Sequence, residues 1–170
     1  MNPKLLIEKP AVLGEGPWWD AETQKLWWID GLAEFGQGDD LHCYDPASGG
    51  DTRWHIGKHI GCAIPTKDGK VIMTLQDGIW RFDPKTGAME EVSALEREID
   101  NNRLNDGKCD SHGRLWYGVM TFVPHHRYVG ARLYMWDFLN GKEPVDCGFL
   151  GTPERTLSIT DRKSTRLQSR

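Results

Sequence analysis

The residues able to do chemistry gather in one polar run, Asn101-Asn102-Arg103-Leu104-Asn105-Asp106-Gly107, continued by Lys108-Cys109-Asp110-Ser111-His112-Gly113-Arg114. It crowds amides, a guanidinium and carboxylates in front of an alternating segment, Leu115-Trp116-Tyr117-Gly118-Val119-Met120. The plainest reading of Asn105-Asp106-Gly107 is a turn, because Asn, Asp and Gly tolerate positive φ. Arg103 has an equally plain reading as an ion pair with Asp100 or Asp106, and Glu15, between Gly14 and Gly16, as a solvated loop carboxylate. All three side chains are costly to bury and useful in a binding site. An oxygen donor set of carboxylate and amide favours calcium, magnesium, manganese or zinc over copper or iron–sulfur chemistry.

The elements that must position them read as strands and turns. Leu26-Trp27-Trp28-Ile29-Asp30, Val71-Ile72-Met73-Thr74-Leu75 and Leu115-Trp116-Tyr117-Gly118-Val119 are short runs rich in β-branched and aromatic residues. Each follows a polar turn that ends on Lys25, Lys70 or Arg114, so the turns recur after 45 and then 44 residues. A further strand follows in each unit: Leu41-His42-Cys43-Tyr44-Asp45-Pro46, Ile79-Trp80-Arg81-Phe82-Asp83-Pro84 and Leu133-Tyr134-Met135-Trp136-Asp137-Phe138. Two of these run into Gly-bearing turns, after which come Thr52-Arg53-Trp54-His55-Ile56 and Glu90-Glu91-Val92. Four strands per unit of roughly 40–45 residues is the period of a β-propeller blade. The fold expected is therefore all-β, a propeller of four-stranded blades, with about three blades over residues 10–57, 58–100 and 101–150. Helical periodicity is never sustained, and residues 94–98 predict one short helical turn at most.

Counting back from each turn places Glu15, the Ile60/Gly61 pair and Asn105 at nearly equivalent points of each unit's first strand, with Arg103 entering from the preceding loop. First strands line the central channel of a propeller, so residues at one phase converge near its axis. The adjacent His125-His126 suggest a metal, but neighbours in a strand point to opposite sides, and a solvated loop is the simpler reading.

Bulk properties exclude several function classes. A net charge of −4 with mixed signs leaves no basic footprint for nucleic acid and no polybasic membrane segment. The N-terminus, Met1-Asn2-Pro3-Lys4-Leu5-Leu6-Ile7-Glu8, has too short an apolar run for a signal peptide or a membrane span. The four cysteines (Cys43, Cys62, Cys109, Cys147) form no Cys-x-x-Cys pair and predict reduced, mostly packed thiols. A cytoplasmic soluble protein is expected, with no nucleic acid, membrane or obligate protein partner. Eight Trp offset a modest hydrophobic fraction of 38%, so a packed core is feasible.

At these residues the chain resembles the family of regucalcin (senescence marker protein), gluconolactonases and luciferin-regenerating enzymes. Leu13-Gly14-Glu15-Gly16-Pro17-Trp18-Trp19 is similar to the family's opening motif, and Leu26-Trp27-Trp28-Ile29-Asp30 to its second strand. Asn102-Arg103-Leu104-Asn105-Asp106-Gly107-Lys108-Cys109-Asp110, with Gly113-Arg114 and Trp116-Tyr117-Gly118, resembles its most specific signature. The resemblance implies a six-bladed propeller with one divalent cation (calcium, zinc, magnesium or manganese) in the channel, opening sugar lactones to aldonic acids. By position it implies Glu15 as a metal ligand and Arg103 and Asn105 as substrate-binding residues. The cation would polarise the lactone carbonyl and lower the pKa of bound water, while Arg103 and Asn105 orient the ring and stabilise the oxyanion. The family completes its metal site with an Asn in Ser-Asn-Gly and an Asp in Pro-Asp-Gly, the latter also serving as acid/base. Neither segment occurs in this sequence, and the substrate-binding carboxylate expected near Val123 is absent too. No catalytic acid/base is therefore assigned.

Six blades of roughly 45 residues need about 270 residues, so this chain is expected to be an incomplete, inactive fragment. From Gly151 the pattern of strands and aromatics is lost. Asp161-Arg162-Lys163-Ser164-Thr165-Arg166-Leu167 reads like a translated sequencing adapter, which makes residues 151–170 an expected artefactual tail outside the family pattern. The alternative functions are a calcium-binding regulatory protein without turnover and an interaction propeller. The last needs no polar residues at one channel phase.

Overall fold

In the computed structural model, which describes residues 2–8, 10–32, 39–99, 101–121, 132–141 and 143–149, the chain is almost entirely β. The first sheet holds β1 (Gly14–Asp20), β2 (Lys25–Asp30), β3 (Asp40–Asp45) and β4 (Gly50–His55). The second holds β5 (Ile60–Pro65), β6 (Val71–Leu75), β7 (Gly78–Phe82) and β8 (Met89–Ser93). The third holds β9 (Asn102–Cys109), β10 (Leu115–Thr121), β11 (Arg132–Trp136) and β12 (Val145–Phe149). Each is an antiparallel meander in chain order, the construction of a propeller blade, so the expected fold holds.

Recurring side chains close the turns. After the first strand of each blade, Asp20 accepts the Glu22 N–H at 3.1 Å, Thr66 Oγ1 accepts the Lys70 N–H at 3.1 Å, and Asp110 accepts the His112 N–H at 2.9 Å. After the third strand, Asp45 accepts the Ala47 N–H and Asp83 the Lys85 N–H, both at 2.9 Å. The Asp-Pro signature thus supplies an acceptor for the turn and a residue with φ already fixed. In the third blade Phe138 stands where Pro would be. There the chain makes a 3₁₀ turn, Phe138–Asn140, ended by Gly141 at φ 60°, where the sequence pattern had continued the strand. The helical turn expected at 94–98 is instead a pair of reverse turns, Arg97 N–H to Ala94 O (3.3 Å) and Ile99 N–H to Glu96 O (3.0 Å).

The core sits between blades. β5 and β6 are buried at every position because the middle blade is covered on both sides, by β1–β3 and by β9. This explains their largely apolar runs, broken only by Thr74 among polar residues, whereas β4 and β8 at the outer edge are mostly exposed. Trp27 stacks on Trp54 at 5.8 Å, and Trp54 meets the edge of Phe82, joining the first blade to the second. None of the four cysteines is in a disulfide, and three are buried.

Asp110 is the most heavily used turn acid. It also accepts from Arg114 Nε at 2.7 Å and Trp116 Nε1 at 3.0 Å, fastening the polar run to β10. Burial pushes its carboxyl up, but the donors from Trp116, Arg114 and His112 outweigh it and hold the pKa at about 2. A depressed carboxyl contributes stability above its ordinary value of about 4 and loses it as pH falls towards 2. Asp110→Asn is expected to cost about 2 kcal/mol at neutral pH. Urea denaturation of both proteins should show that gap closing between about pH 4 and pH 2.

Candidate functional site

The first strand of every blade carries a bulge at the same phase. Register shifts between Glu15 and Trp18 in β1, between Ile60 and Cys62 in β5, and in β9 between Leu104, opposite Val119, and Gly107, opposite Tyr117. A bulge leaves residues outside the ladder and re-aims their side chains. Counting made Glu15, the Ile60/Gly61 pair and Asn105 nearly equivalent; the bulges place Gly61 and Asn105 outside the ladder, whereas Glu15 is still paired, with Ile29, one step before its bulge. Two readings of the sequence change. Asn105-Asp106-Gly107 is no turn but the bulged middle of β9, and Arg103 lies within that strand, opposite Met120, and not in a preceding loop.

The middle blade forms a socket for Asn105. A Cβ on Gly61 would stand 2.5 Å from the Asn105 carbonyl oxygen and 2.7 Å from its carbonyl carbon and Cα. From β6, the fully buried Thr74 hydroxyl donates to that same oxygen at 3.0 Å. Beside them, burial pushes the Cys62 thiol up to about 11, so it packs as a neutral side chain.

Glu15 is placed from the other side. The buried Asp30 carboxylate at the end of β2 accepts the Val12 N–H at 3.0 Å and the Leu13 N–H at 2.7 Å, fixing the entry to β1. Gly31 continues the anchor, donating to Leu13 O at 3.0 Å and accepting the Ile60 N–H at 3.1 Å. Glu15 Oε1 lies 3.2 Å from the point a Cβ on Gly31 would occupy, against the seam with the second blade.

Electrostatics tie these elements together. Burial raises the Glu15 pKa, with Arg103 opposing and Asp106 reinforcing the shift. Burial lowers the Arg103 pKa, opposed by Glu15 and by Asp39. A half-buried carboxylate, a buried guanidinium and a buried second carboxylate therefore share one field, contributed by the first and third blades. Asp39 in turn holds His59 Nδ1 at 3.0 Å. Sequence reasoning missed Asp39 and His59, because neither stands at a repeating position; the nearest cue is the acidic pair Asp39-Asp40 closing a long loop.

As a cation ligand Glu15 fits in kind, being a hard oxygen donor, although the Arg103 guanidinium is its strongest charged neighbour. Among the described residues, however, no three His, Cys, Asp or Glu side chains gather as a metal-binding group. Glu15 is thus at most one ligand of a larger set. His125-His126 lie outside the described residues. Because burial raises its pKa, ionised Glu15 opposes folding once pH rises through that raised value, and the opposition is absent below the ordinary carboxylate range. Glu15→Gln is therefore expected to raise the melting temperature at pH 7 in chelator, and to leave it unchanged at about pH 4 and below.

Residues 13–153 match the family described as the SMP-30/Gluconolactonase/LRE-like region. The chain belongs to this family. The 6-deoxy-6-sulfogluconolactonase of Pseudomonas putida is 32% identical over 130 residues, which are 76% of this chain and 43% of that protein. The L-arabinolactonase of Azospirillum brasilense is 33% identical over 118 residues, 68% of this chain and 37% of that protein. The crystal structure of a calcium-binding protein, regucalcin, from Agrobacterium tumefaciens superposes with a TM-score of 0.72 at 28% identity. That match covers 83% of this chain and 44% of the regucalcin. The chain thus spans under half the length of these SMP-30/gluconolactonase relatives.

Proposed function

We propose that this chain is the channel-lining part of a divalent-metal-dependent sugar-lactone hydrolase, opening the lactone ring to an aldonic acid. The observation that carries the reading is the bulge in each blade's first strand, Glu15 being the last paired residue before the first of them and Asn105 lying within the third, with Arg103 in the field of Glu15. The lactonase relatives support the reaction class. Arg103 holds two lactone oxygens at once, as only a planar fork can, and the Asn105 amide fixes the ring in register with it. As the ester carbonyl becomes tetrahedral, charge gathers on its oxygen, and the buried guanidinium stabilises that charge more than it would in water. Glu15 serves as one ligand of the cation, which when bound supplies Lewis-acid polarisation and a water of lowered pKa. The acid/base and the other ligands belong to blades outside this sequence, and the 170 residues alone are inactive. Cytoplasmic placement is part of the same proposal.

The test is acid release from glucono-1,5-lactone and from pentonolactones, after chelation and with each of calcium, zinc, magnesium and manganese. It is run on this chain and on the product of its intact genomic locus. Cation-dependent release by the longer product only is expected. Release by the 170 residues alone, or a natural stop codon after Arg170, would overturn the fragment assignment. Calcium binding without turnover on any lactone would favour a regulatory protein, a reading supported by the likeness to the calcium-binding regucalcin.

A further inference from the structure

The connector between the second and third blades carries a carboxylate that the mechanism above does not use. Glu96 is held in the left-handed region at φ 56°, a strained conformation for a residue with a Cβ, which persists only where the surroundings impose it. Its carbonyl accepts the Ile99 N–H at 3.0 Å, and Ile99 O in turn accepts the Asn102 N–H at 3.2 Å. The next residue, Arg97, fastens the connector to the second blade, donating to Asp77 O at 3.3 Å and to Glu91 Oε2 at 2.5 Å. Glu96 fastens it to the third. One carboxylate oxygen accepts the Asn102 amide N–H at 2.7 Å, and the other accepts the Tyr134 hydroxyl from β11. Asn102 is buried at the start of β9, and among the described residues its amide oxygen has no hydrogen-bond partner. The bond to Glu96 is therefore what fixes that side chain. Arg103 follows directly, paired opposite Met120. Successive side chains of a strand point to opposite faces, so Asn102 turned onto Glu96 sets the face from which the Arg103 guanidinium projects.

We propose that Glu96 is a positioning residue for the candidate site: by clamping Asn102 it fixes the start of β9, and with it the aim of Arg103 at the lactone oxygens. The inference rests on the lactone reading above. Glu96 itself never touches the substrate and acts only through Asn102. Two donors, an amide N–H and a phenol O–H, converge on this one side chain, and a carboxylate has an acceptor oxygen for each. Glutamine keeps an oxygen for Asn102 and offers an N–H to the Tyr134 oxygen, whereas alanine supplies neither.

The test uses the product of the intact locus, with gluconolactam as a probe that resists hydrolysis. Glu96→Ala should weaken the probe about tenfold, the worth of one of the two hydrogen bonds that Arg103 makes to it. Glu96→Gln should restore most of that loss. Tyr134→Phe is the structural control: it removes the other bond of Glu96 but leaves Asn102 clamped, so the probe should bind within about twofold of the parent. The Arg103 Nε–H resonance, assigned by its loss in Arg103→Lys, should move in Glu96→Ala and stay in place in Tyr134→Phe before any probe is added. Should Glu96→Ala not fold, Glu96→Asp replaces it with the same expectation, since its shorter stem withdraws the carboxylate from Asn102. Equal weakening in Glu96→Ala and Tyr134→Phe would make Glu96 a brace of the blade seam and nothing more. Parent-like binding by Glu96→Ala would remove the clamp altogether. Either result overturns the inference while the lactone reading stands, so long as Arg103→Lys still weakens the probe. If the parent does not bind gluconolactam, or Arg103→Lys binds it equally well, the lactone reading falls and takes the inference with it.

Discussion

Replacing Gly61 with alanine is expected to cost about 3 kcal/mol of folding stability and to dislodge Asn105. Gly61 does not lie in the left-handed region, so the cost arises from space and not from φ. The atoms a methyl group would strike, at 2.5–2.7 Å, are all Asn105 backbone. They belong to a bulged strand already held by Thr74 and by its pairing with β10, and cannot turn aside as a flexible side chain could. Relief requires the third blade to move away from the second, which carries Asn105 and Arg103 away from Glu15. Gly118, which sits across from the same bulge, provides the control. A Cβ there would meet nothing within 4 Å, so Gly118→Ala should stay within about 0.5 kcal/mol of the parent. Urea denaturation of the three proteins decides the matter. Equal stability of Gly61→Ala and Gly118→Ala would show that the blades are not seated as described.

The contrast between those glycines marks how far the sequence could be read. Strands, turns and the blade repeat were legible because they depend on near neighbours. Asp45 and Asp83 close turns two residues on, and Val71–Leu75 is a strand by its β-branched, mostly apolar residues. Counting from the turns also brought Glu15, the Ile60/Gly61 pair and Asn105 to nearly one phase, to within the single step that separates paired Glu15 from its bulge. The bulges were not legible. In β9 two residues, Asn105 and Asp106, leave the ladder, and nothing in Asn-Asp-Gly distinguishes that from a turn until β10 is laid alongside. Nor was the reason for Gly61, which is set by a backbone more than forty residues later in the chain. The dyad of Asp39 and His59 was beyond reach for the same cause, because its partners meet across a loop and a blade seam that carry no period.

The largest functional effect is expected at Arg103. In the product of the intact locus, Arg103→Lys should weaken binding of gluconolactam, a hydrolysis-proof analogue of the lactone, about a hundredfold, close to 2.7 kcal/mol, because an ammonium cannot hold two oxygens at the fixed spacing of a guanidinium. Stability should change by less than about 1 kcal/mol, since a positive charge still faces Glu15 and Asp39. Arg103→Met separates charge from shape. It retains most of the stem that fills a buried place while deleting the field that opposes the rise in the Glu15 pKa. The carboxyl of Glu15 should then titrate at a still higher pH, which ¹³C-detected titration of the side chain would show directly. That shift distinguishes an arginine coupled to Glu15 from one that merely packs. If the lysine variant binds the probe as well as the parent does, the guanidinium fork is not what reads the ester. If the methionine variant leaves the Glu15 titration where it was, the two residues do not share a site, and the convergence of the bulged strands has no chemical consequence.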